Sequence, residues 1–210
     1  MPIDAGTIRI LAVDDHALLR RGIAALINAE PDMTLVAEAS NGQEAIAEFK
    51  KHRPDITLMD LQMPDMTGIE AIIGIRSDFP EARIIVLTTY SGDVPMLRAL
   101  RAGARGFLLK SRVNRQLLDV IRAVHAGHKR IPPEIAAELA EHAGEEDLSA
   151  RELEVLGLVA KGNANKTIAV RLAITEETVK SHVTKILSKL RANDRTHAVT
   201  IGLKRGIIDL

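Results

Sequence analysis

Five short apolar runs, each five or six residues long, are the feature that most restricts how this chain can fold. They are rich in Ile, Val and Leu and occupy residues 8–13, 34–39, 55–59, 83–88 and 105–109. Runs of this length and composition are typical of buried strands. Amphipathic stretches with helical periodicity lie between them. This alternation favours an α/β fold, a doubly wound five-stranded parallel sheet with helices on both faces.

The strand patterns end near residue 147, and four helical patterns follow. Ser149 and Glu152 have the spacing of a capping box, in which a hydroxyl and a carboxylate satisfy the first amides of a helix. The helical patterns cover residues 151–161, 165–172, 176–190 and 196–204. We therefore expect a small all-α domain of four helices. The predicted boundaries are a first domain at 1–126, a partly helical linker at 127–146 and the helical domain at 147–210.

Composition excludes several classes of protein. Hydrophobic residues make up 46% of the 210-residue chain, which is enough for ordinary packed cores. Cysteine is absent, which excludes disulfide scaffolds and thiolate metal sites. The N-terminal residues lack a basic segment before an apolar one, and no apolar run is long enough to span a membrane. We expect a cytoplasmic protein with no membrane contact.

The net charge of zero hides an uneven distribution of charge along the chain. Residues 148–210 carry eleven Lys and Arg against six Asp and Glu, a net charge of +5. Residues 127–147 carry two bases against six acids, a net charge of −4. A basic terminal domain is typical of polyanion-binding modules, although basic residues also serve simply as solvated surface.

Polar residues follow the predicted strands where the carboxyl ends of a parallel sheet form its ligand-binding edge. Asp14 and Asp15 end the first run, Asp60 the third, Thr88 the fourth and Lys110 the fifth. Close carboxylates repel one another unless a cation joins them, and oxygen ligands favour Mg²⁺. A carboxylate in such a site can also act as a nucleophile and form an acyl phosphate. Taken alone, a pair of acids after a strand, such as Asp14–Asp15, is more often part of a turn or a helix N-cap than a functional site.

Four motifs carry a resemblance to a known family. VDDH (13–16), LMDLQMPDMTG (58–68), VLT (86–88) and GFLLK (106–110) are similar to the receiver domain of two-component response regulators, over about residues 7–126. The resemblance implies a flavodoxin-like fold with Asp60 as the phosphoacceptor. It assigns Mg²⁺ binding to Asp14, Asp15, Asp60 and the backbone carbonyl of Gln62, and phosphoryl contact and switching to Thr88, Phe107 and Lys110.

Some of these positions carry alternatives. Phe107 is expected to be either a switch residue, which turns inward when Thr88 moves toward a phosphoryl group, or an ordinary core aromatic. The sequence departs from the commonest receiver pattern at Asp65, Thr67 and Ser111, where glycine, aspartate and proline are usual.

Residues 147–210 closely resemble the helix-turn-helix domain of the NarL/FixJ subfamily, also called LuxR-type. In the predicted recognition helix, apolar residues line one side and lysines and hydroxyls the other, which suits the major groove of DNA. His182 has an alternative role as a structural residue. The predicted DNA contacts are Lys166, Thr178, Lys180, Ser181, His182, Thr184 and Lys185.

The two resemblances together imply a phosphorylation-dependent transcription regulator. Its expected partners are a sensor histidine kinase, promoter DNA with inverted half-sites, RNA polymerase and, when phosphorylated, a second copy of the chain. Three rivals remain: an aspartate-based phosphohydrolase, a small-molecule-sensing regulator and a phosphorylation-independent transcription factor. The phosphohydrolase needs an acid two residues after its nucleophile, where this chain has Gln62. We therefore expect no enzyme activity beyond phosphotransfer to Asp60 and its self-dephosphorylation.

Overall fold

A computed structural model describes residues 6–89, 92–141 and 146–208 of the protein. Residues 142–145 of the predicted linker lie outside this part. The chain forms two compact units: residues 1–90 with 96–136, and residues 91–95 with 137–210.

The first unit contains a five-stranded sheet, and all of its strand pairs are parallel. The strands are β1 (Ile8–Val13), β2 (Met33–Ala39), β3 (Ile56–Asp60), β4 (Ile84–Thr88) and β5 (Gly106–Leu109). Their order in the sheet is β2-β1-β3-β4-β5, so the order reverses between β1 and β3. Every residue of β3 and β4 is buried, as expected for strands covered on both faces. The predicted doubly wound sheet is confirmed.

Helices alternate with these strands. They are α1 (Ala17–Asn28), α2 (Gly42–His52), α3 (Gly68–Asp78), α4 (Asp93–Arg101) and α5 (Val113–His125). Helix α4 contains Pro95 within its first turn. Proline is tolerated there because the first helical amides have no intrahelical partner. Helix α5 begins directly after a 3₁₀ turn at Lys110–Arg112.

The segment after α5 adds a bridge to the free edge of β5. The amide of Phe107 donates to the carbonyl of Arg130 at 2.8 Å, and the amide of Arg130 donates to the carbonyl of Arg105 at 3.0 Å. The bridge covers part of an edge whose backbone groups would otherwise lack partners. Helix α6 (Pro133–Glu141) follows.

The terminal unit contains α7 (Ala150–Ala160), α8 (Asn165–Leu172), α9 (Glu176–Lys189) and α10 (Arg195–Lys204). Their apolar faces share one core, which includes Leu156, Ile168, Val179 and Ile186. The predicted helices are confirmed, as is the capping box of Ser149 and Glu152. None of the helices in the described part of the chain has the length and apolarity that a membrane span requires.

Glu152 is a buried acid that ties the start of α7 to α9. Its Oε2 accepts from the Ser149 amide at 2.8 Å and from Nζ of Lys189 at 2.9 Å. Burial by itself would raise the pKa of Glu152, but these hydrogen bonds and the Lys189 charge outweigh it and lower the pKa. The ionised carboxylate therefore stabilises the folded unit above the pKa that Glu has when unfolded, and this stabilisation is lost as pH falls through the folded-state pKa.

Glu152→Gln is expected to reduce the stability of the terminal unit by about 1–3 kcal/mol at neutral pH, because two charge-assisted hydrogen bonds weaken. Hydrogen exchange of α7 amides in increasing urea measures this loss, which should shrink in acid. Glu154→Gln, at a side chain 53% exposed and paired with Arg151, is the matched control and should change little. Equal losses in the two variants would contradict the prediction.

Candidate functional site

An ammonium group joins two buried carboxylates at the carboxyl edge of the sheet. Nζ of Lys110 lies 2.8 Å from Oδ2 of Asp14 and 2.8 Å from Oδ2 of Asp60. The side chains of Asp14, Asp60 and Lys110 are 0%, 3% and 13% exposed. The reversal of strand order between β1 and β3 places Asp14 and Asp60 beside each other, and Lys110 directly follows β5. The structure therefore brings Asp14, Asp60 and Lys110 together at this edge, as predicted from the sequence.

The pKa values in this pocket reflect competition between burial and charge. Burial raises the pKa of Asp60; its hydrogen bond with Lys110 and the Lys110 charge oppose the rise, and the charge of Asp14 adds to it. Burial alone would lower the pKa of Lys110, but its contacts with both acids outweigh that effect and raise it. The ammonium is therefore held charged, and it favours the ionised, nucleophilic form of Asp60.

The same edge has the donors that a hard divalent cation requires. Ligand atoms of Asp14, Asp15, His16 and Asp60 all lie within 4.8 Å of one another. Within the described residues, Oδ2 of Asp14 is buried without a hydrogen bond of good geometry, although the Lys110 ammonium is close. A carboxylate oxygen in that state suits a cation, and an oxygen-rich donor set fits Mg²⁺.

Three further predicted residues lie in the loop after Asp60 and in the two neighbouring strands. The amide of Gln62 donates to Oδ1 of Asp60 at 3.3 Å, which places Gln62 beside the acid. Thr88 ends β4, and Phe107 lies in the neighbouring β5. Both side chains are buried, and Phe107 is 1% exposed, so its ring already lies inside the unit. The amide of the same Phe107 holds the bridge to Arg130.

Helix α9 presents a basic and hydroxyl-rich face to solvent. Val179 and Ile186 are buried on its inner side, and Thr175 caps its first turn by accepting from the amide of Thr178 at 3.1 Å. The predicted contacts that are exposed on α9 are Thr178, Lys180, Ser181, Thr184 and Lys185, and Lys166 is exposed on α8. His182 is half-buried, and its Nδ1 is buried with no hydrogen-bond partner among the described residues. This placement suits the structural alternative for His182.

Comparison with known proteins connects these two sites. Residues 10–122 match the response regulator receiver domain, and residues 146–201 match the luxR family of bacterial regulatory proteins. The chain is 42% identical over 212 residues to the uncharacterized transcriptional regulatory protein YxjL of Bacillus subtilis, covering 96% of this chain and 97% of that protein. The chain belongs to the LuxR family of response regulators.

Other response regulators support the family assignment. VraR of Staphylococcus aureus is 38% identical over 207 residues, covering 96% of this chain and 99% of VraR. A solved structure of RcsB from Salmonella enterica serovar Typhimurium, bound to promoter P1flhDC in the presence of phosphomimetic BeF₃⁻, has a TM-score of 0.71 and 26% identity. That match covers 94% of this chain and 98% of the RcsB chain. A flavodoxin-like receiver and a helical DNA-binding domain are therefore the two parts of this response regulator.

The loop after Asp60 explains one departure from the commonest receiver sequence. Asp65, where receivers usually have glycine, adopts a φ of 66°, which lies in the left-handed region that glycine favours. Aspartate is among the residues that tolerate this region best. Gly68 then brings α3 against the strand end, because a Cβ there would lie 1.9 Å from the carbonyl oxygen of Asp60. Aspartate at position 65 therefore adopts the same kind of left-handed turn that glycine allows in this loop of response regulators.

His16 is a residue of the acidic edge that sequence reasoning missed. Its Nδ1 lies 2.6 Å from Oδ1 of Asp15 and 3.2 Å from Oδ1 of Asp14, although the side chain is 70% exposed. Its position directly after Asp15 was the available signal.

Three bases of the terminal domain hold the fold together, and the net charge did not reveal this. The Arg151 guanidinium donates to the carbonyl of Leu172 at 2.5 Å. Arg195 donates to the carbonyl of Asn163, and Lys189 pairs with Glu152. The +5 charge of the terminal domain therefore overstates the number of bases available to a ligand.

Proposed function

We propose that this response regulator is a transcription factor whose DNA binding is controlled by phosphorylation of Asp60. The observation that supports this most is the Lys110 ammonium, which lies 2.8 Å from an oxygen of both Asp14 and Asp60. A buried carboxylate beside a fixed positive charge can act as a nucleophile toward phosphorus. The proposed domains are the receiver at 1–126, the linker at 127–146 and the DNA-binding domain at 147–210.

Phosphotransfer is a displacement at phosphorus. A carboxylate oxygen of Asp60 attacks the phosphohistidine of a sensor kinase; the new O–P bond forms as the P–N bond breaks, and the imidazole leaves with the electron pair. Lys110 neutralises charge on the transferred oxygens. Mg²⁺, held by Asp14, Asp15, Asp60 and the backbone carbonyl of Gln62, would supply further positive charge to those oxygens. The acyl phosphate then hydrolyses, and Gln62 offers no acid for turnover of other substrates.

The response to phosphorylation starts at Thr88. A phosphoryl group adds about −1.5 to −2 charge and new acceptor oxygens, which attract the Thr88 hydroxyl. Because the Phe107 ring is already buried, it responds by repacking inside the unit rather than by turning in from solvent, and its backbone carries the change to the bridge with Arg130. Shifting a two-state equilibrium from about 1:99 to 99:1 in favour of the active conformation requires roughly 5.5 kcal/mol of differential stabilisation. One surface contact supplies less than this, so dimerisation and DNA binding contribute part of the free energy.

The DNA-binding surface is the exposed face of α9, with Lys166 on α8. Lysines hold phosphates, while exposed side chains near the middle of α9 contact base edges. A homodimer would place two such helices on inverted half-sites of a promoter. The RcsB structure on promoter DNA with a phosphomimetic supports this function. RNA polymerase is a further proposed partner, and these partners place the protein in the cytoplasm.

Phosphorylation of Asp60 is tested by intact mass after incubation with Mg²⁺ and a small-molecule phosphodonor, with retardation of random-sequence duplexes on the same samples. Wild type is expected to gain one phosphoryl group and to bind DNA more tightly. Asp60→Asn should show neither effect. Asp65→Asn is the matched control, since it removes one exposed charge in the same loop and should behave like wild type. Wild type that stays unmodified and binds DNA regardless would overturn the proposal in favour of a phosphorylation-independent regulator.

A further inference from the structure

Thr184 lies on the exposed face of α9, and its hydroxyl group is turned back to the helix. Oγ1 donates to the carbonyl oxygen of Lys180 at 3.1 Å, one turn earlier. The side chain remains exposed, so its methyl group and the oxygen lone pairs are what it offers to a ligand. Lysines 180 and 185 on the same face differ, because each carries a charged donor.

This arrangement restricts which bases Thr184 can contact. A threonine hydroxyl has one proton, and in α9 that proton is already given to the backbone. The major-groove edge of guanine offers only acceptors, N7 and O6, and therefore gains nothing from Thr184. Cytosine and adenine both offer an amino donor in the major groove, so the oxygen lone pairs of Thr184 do not separate the two kinds of base pair. The 5-methyl group of thymine is the feature that only an A·T pair offers for apolar contact.

We propose that Thr184 is a specificity-determining residue that selects an A·T pair in each half-site by contact of its methyl group with the thymine methyl. This inference rests on the proposed function, in which α9 enters the major groove. It assigns selection of an A·T pair to Thr184, whereas the neighbouring lysines, as charged donors, suit phosphates and the acceptors of guanine.

The experiment uses the full-length protein, treated with Mg²⁺ and phosphodonor, to select duplexes from a random-sequence pool. Each thymine of the selected half-site is then replaced in turn by deoxyuridine, which removes only the 5-methyl group. One thymine per half-site should lose about fourfold in affinity, the value for one buried methyl-sized group. Thr184→Val keeps a methyl group and should keep this loss. Thr184→Ser keeps the hydroxyl and should bind thymine and deoxyuridine equally.

Thr200→Ala is the matched control, because Thr200 is also exposed and donates to a backbone carbonyl, that of Thr196, at 3.0 Å. It should leave the ratio of thymine to deoxyuridine affinities unchanged. If wild type binds selected duplexes but deoxyuridine has the same effect in wild type and Thr184→Ser, the role of Thr184 is wrong and DNA binding stands. If no duplex is selected, both proposals fail.

Discussion

Gly68→Ala is expected to destabilise the receiver by about 3 kcal/mol, the upper end of the range for overpacked sites. The added Cβ would lie 1.9 Å from the carbonyl oxygen of Asp60 and 2.8 Å from Cα of Leu61. Both are backbone atoms, so no side-chain rotation relieves the contact, and the start of α3 must move away from the strand. The amide of Gly68 would then lose its hydrogen bond to the carbonyl of Leu61, now 3.0 Å long.

The loss is measured as the urea dependence of hydrogen exchange in β3 peptides. Gly22→Ala is the matched control, because Gly22 lies inside α1 and a Cβ there meets nothing within 4 Å beyond its chain neighbours and the backbone of its own helix. Alanine at that helical position should raise stability by about 0.5–1 kcal/mol. Gly68→Ala should also take up phosphoryl groups more slowly, since Asp60 is next to the displaced segment. Unchanged stability in Gly68→Ala would contradict the prediction, because it would mean that the start of α3 moves away from the added Cβ without a loss of free energy of unfolding.

The fold could be predicted because its signals are local. The period and length of each apolar run indicated a strand, and the hydroxyl and acid of Ser149 and Glu152 indicated a helix start. The convergence of Asp14, Asp60 and Lys110 followed from a general property of parallel sheets, whose strand ends share one edge. The strand order itself depends on contacts between distant segments, which periodicity does not contain.

Apart from His16, which contacts its own neighbours Asp14 and Asp15, the features that sequence reasoning missed are contacts between segments far apart in the chain. The bridge between Arg130 and the edge of β5 joins positions with no shared pattern. The use of Arg151 and Arg195 as backbone donors likewise depends on where Leu172 and Asn163 lie after folding. Net charge counts such bases as free, but their guanidinium groups already have partners in the folded domain.

Lys110→Met is expected to destabilise the metal-free receiver by about 3 kcal/mol. Methionine has nearly the same length but no charge, and it leaves Asp14 and Asp60 buried together with no cation between them. Removing one member of a buried charge cluster typically costs about 3–5 kcal/mol. Lys50→Met is the matched control, because Lys50 forms a pair of the same length, 2.8 Å, with Asp78, but both side chains are about half exposed. Such a surface pair is worth about 0–1 kcal/mol.

The stability of Lys110→Met should depend on both pH and Mg²⁺. Burial raises the folded-state pKa of Asp60, and loss of the ammonium raises it further. A group whose folded-state pKa is raised contributes stability below its unfolded pKa, and that contribution is lost as pH rises through the folded-state pKa. Thermal unfolding should therefore show a larger deficit at about pH 8 than at about pH 5. Mg²⁺ should raise the Tm of Lys110→Met more than that of wild type, because a cation held by these carboxylates would compensate the negative charge that the ammonium no longer offsets. Equal Mg²⁺ effects in the two proteins would mean that the ammonium and the cation act at independent positions.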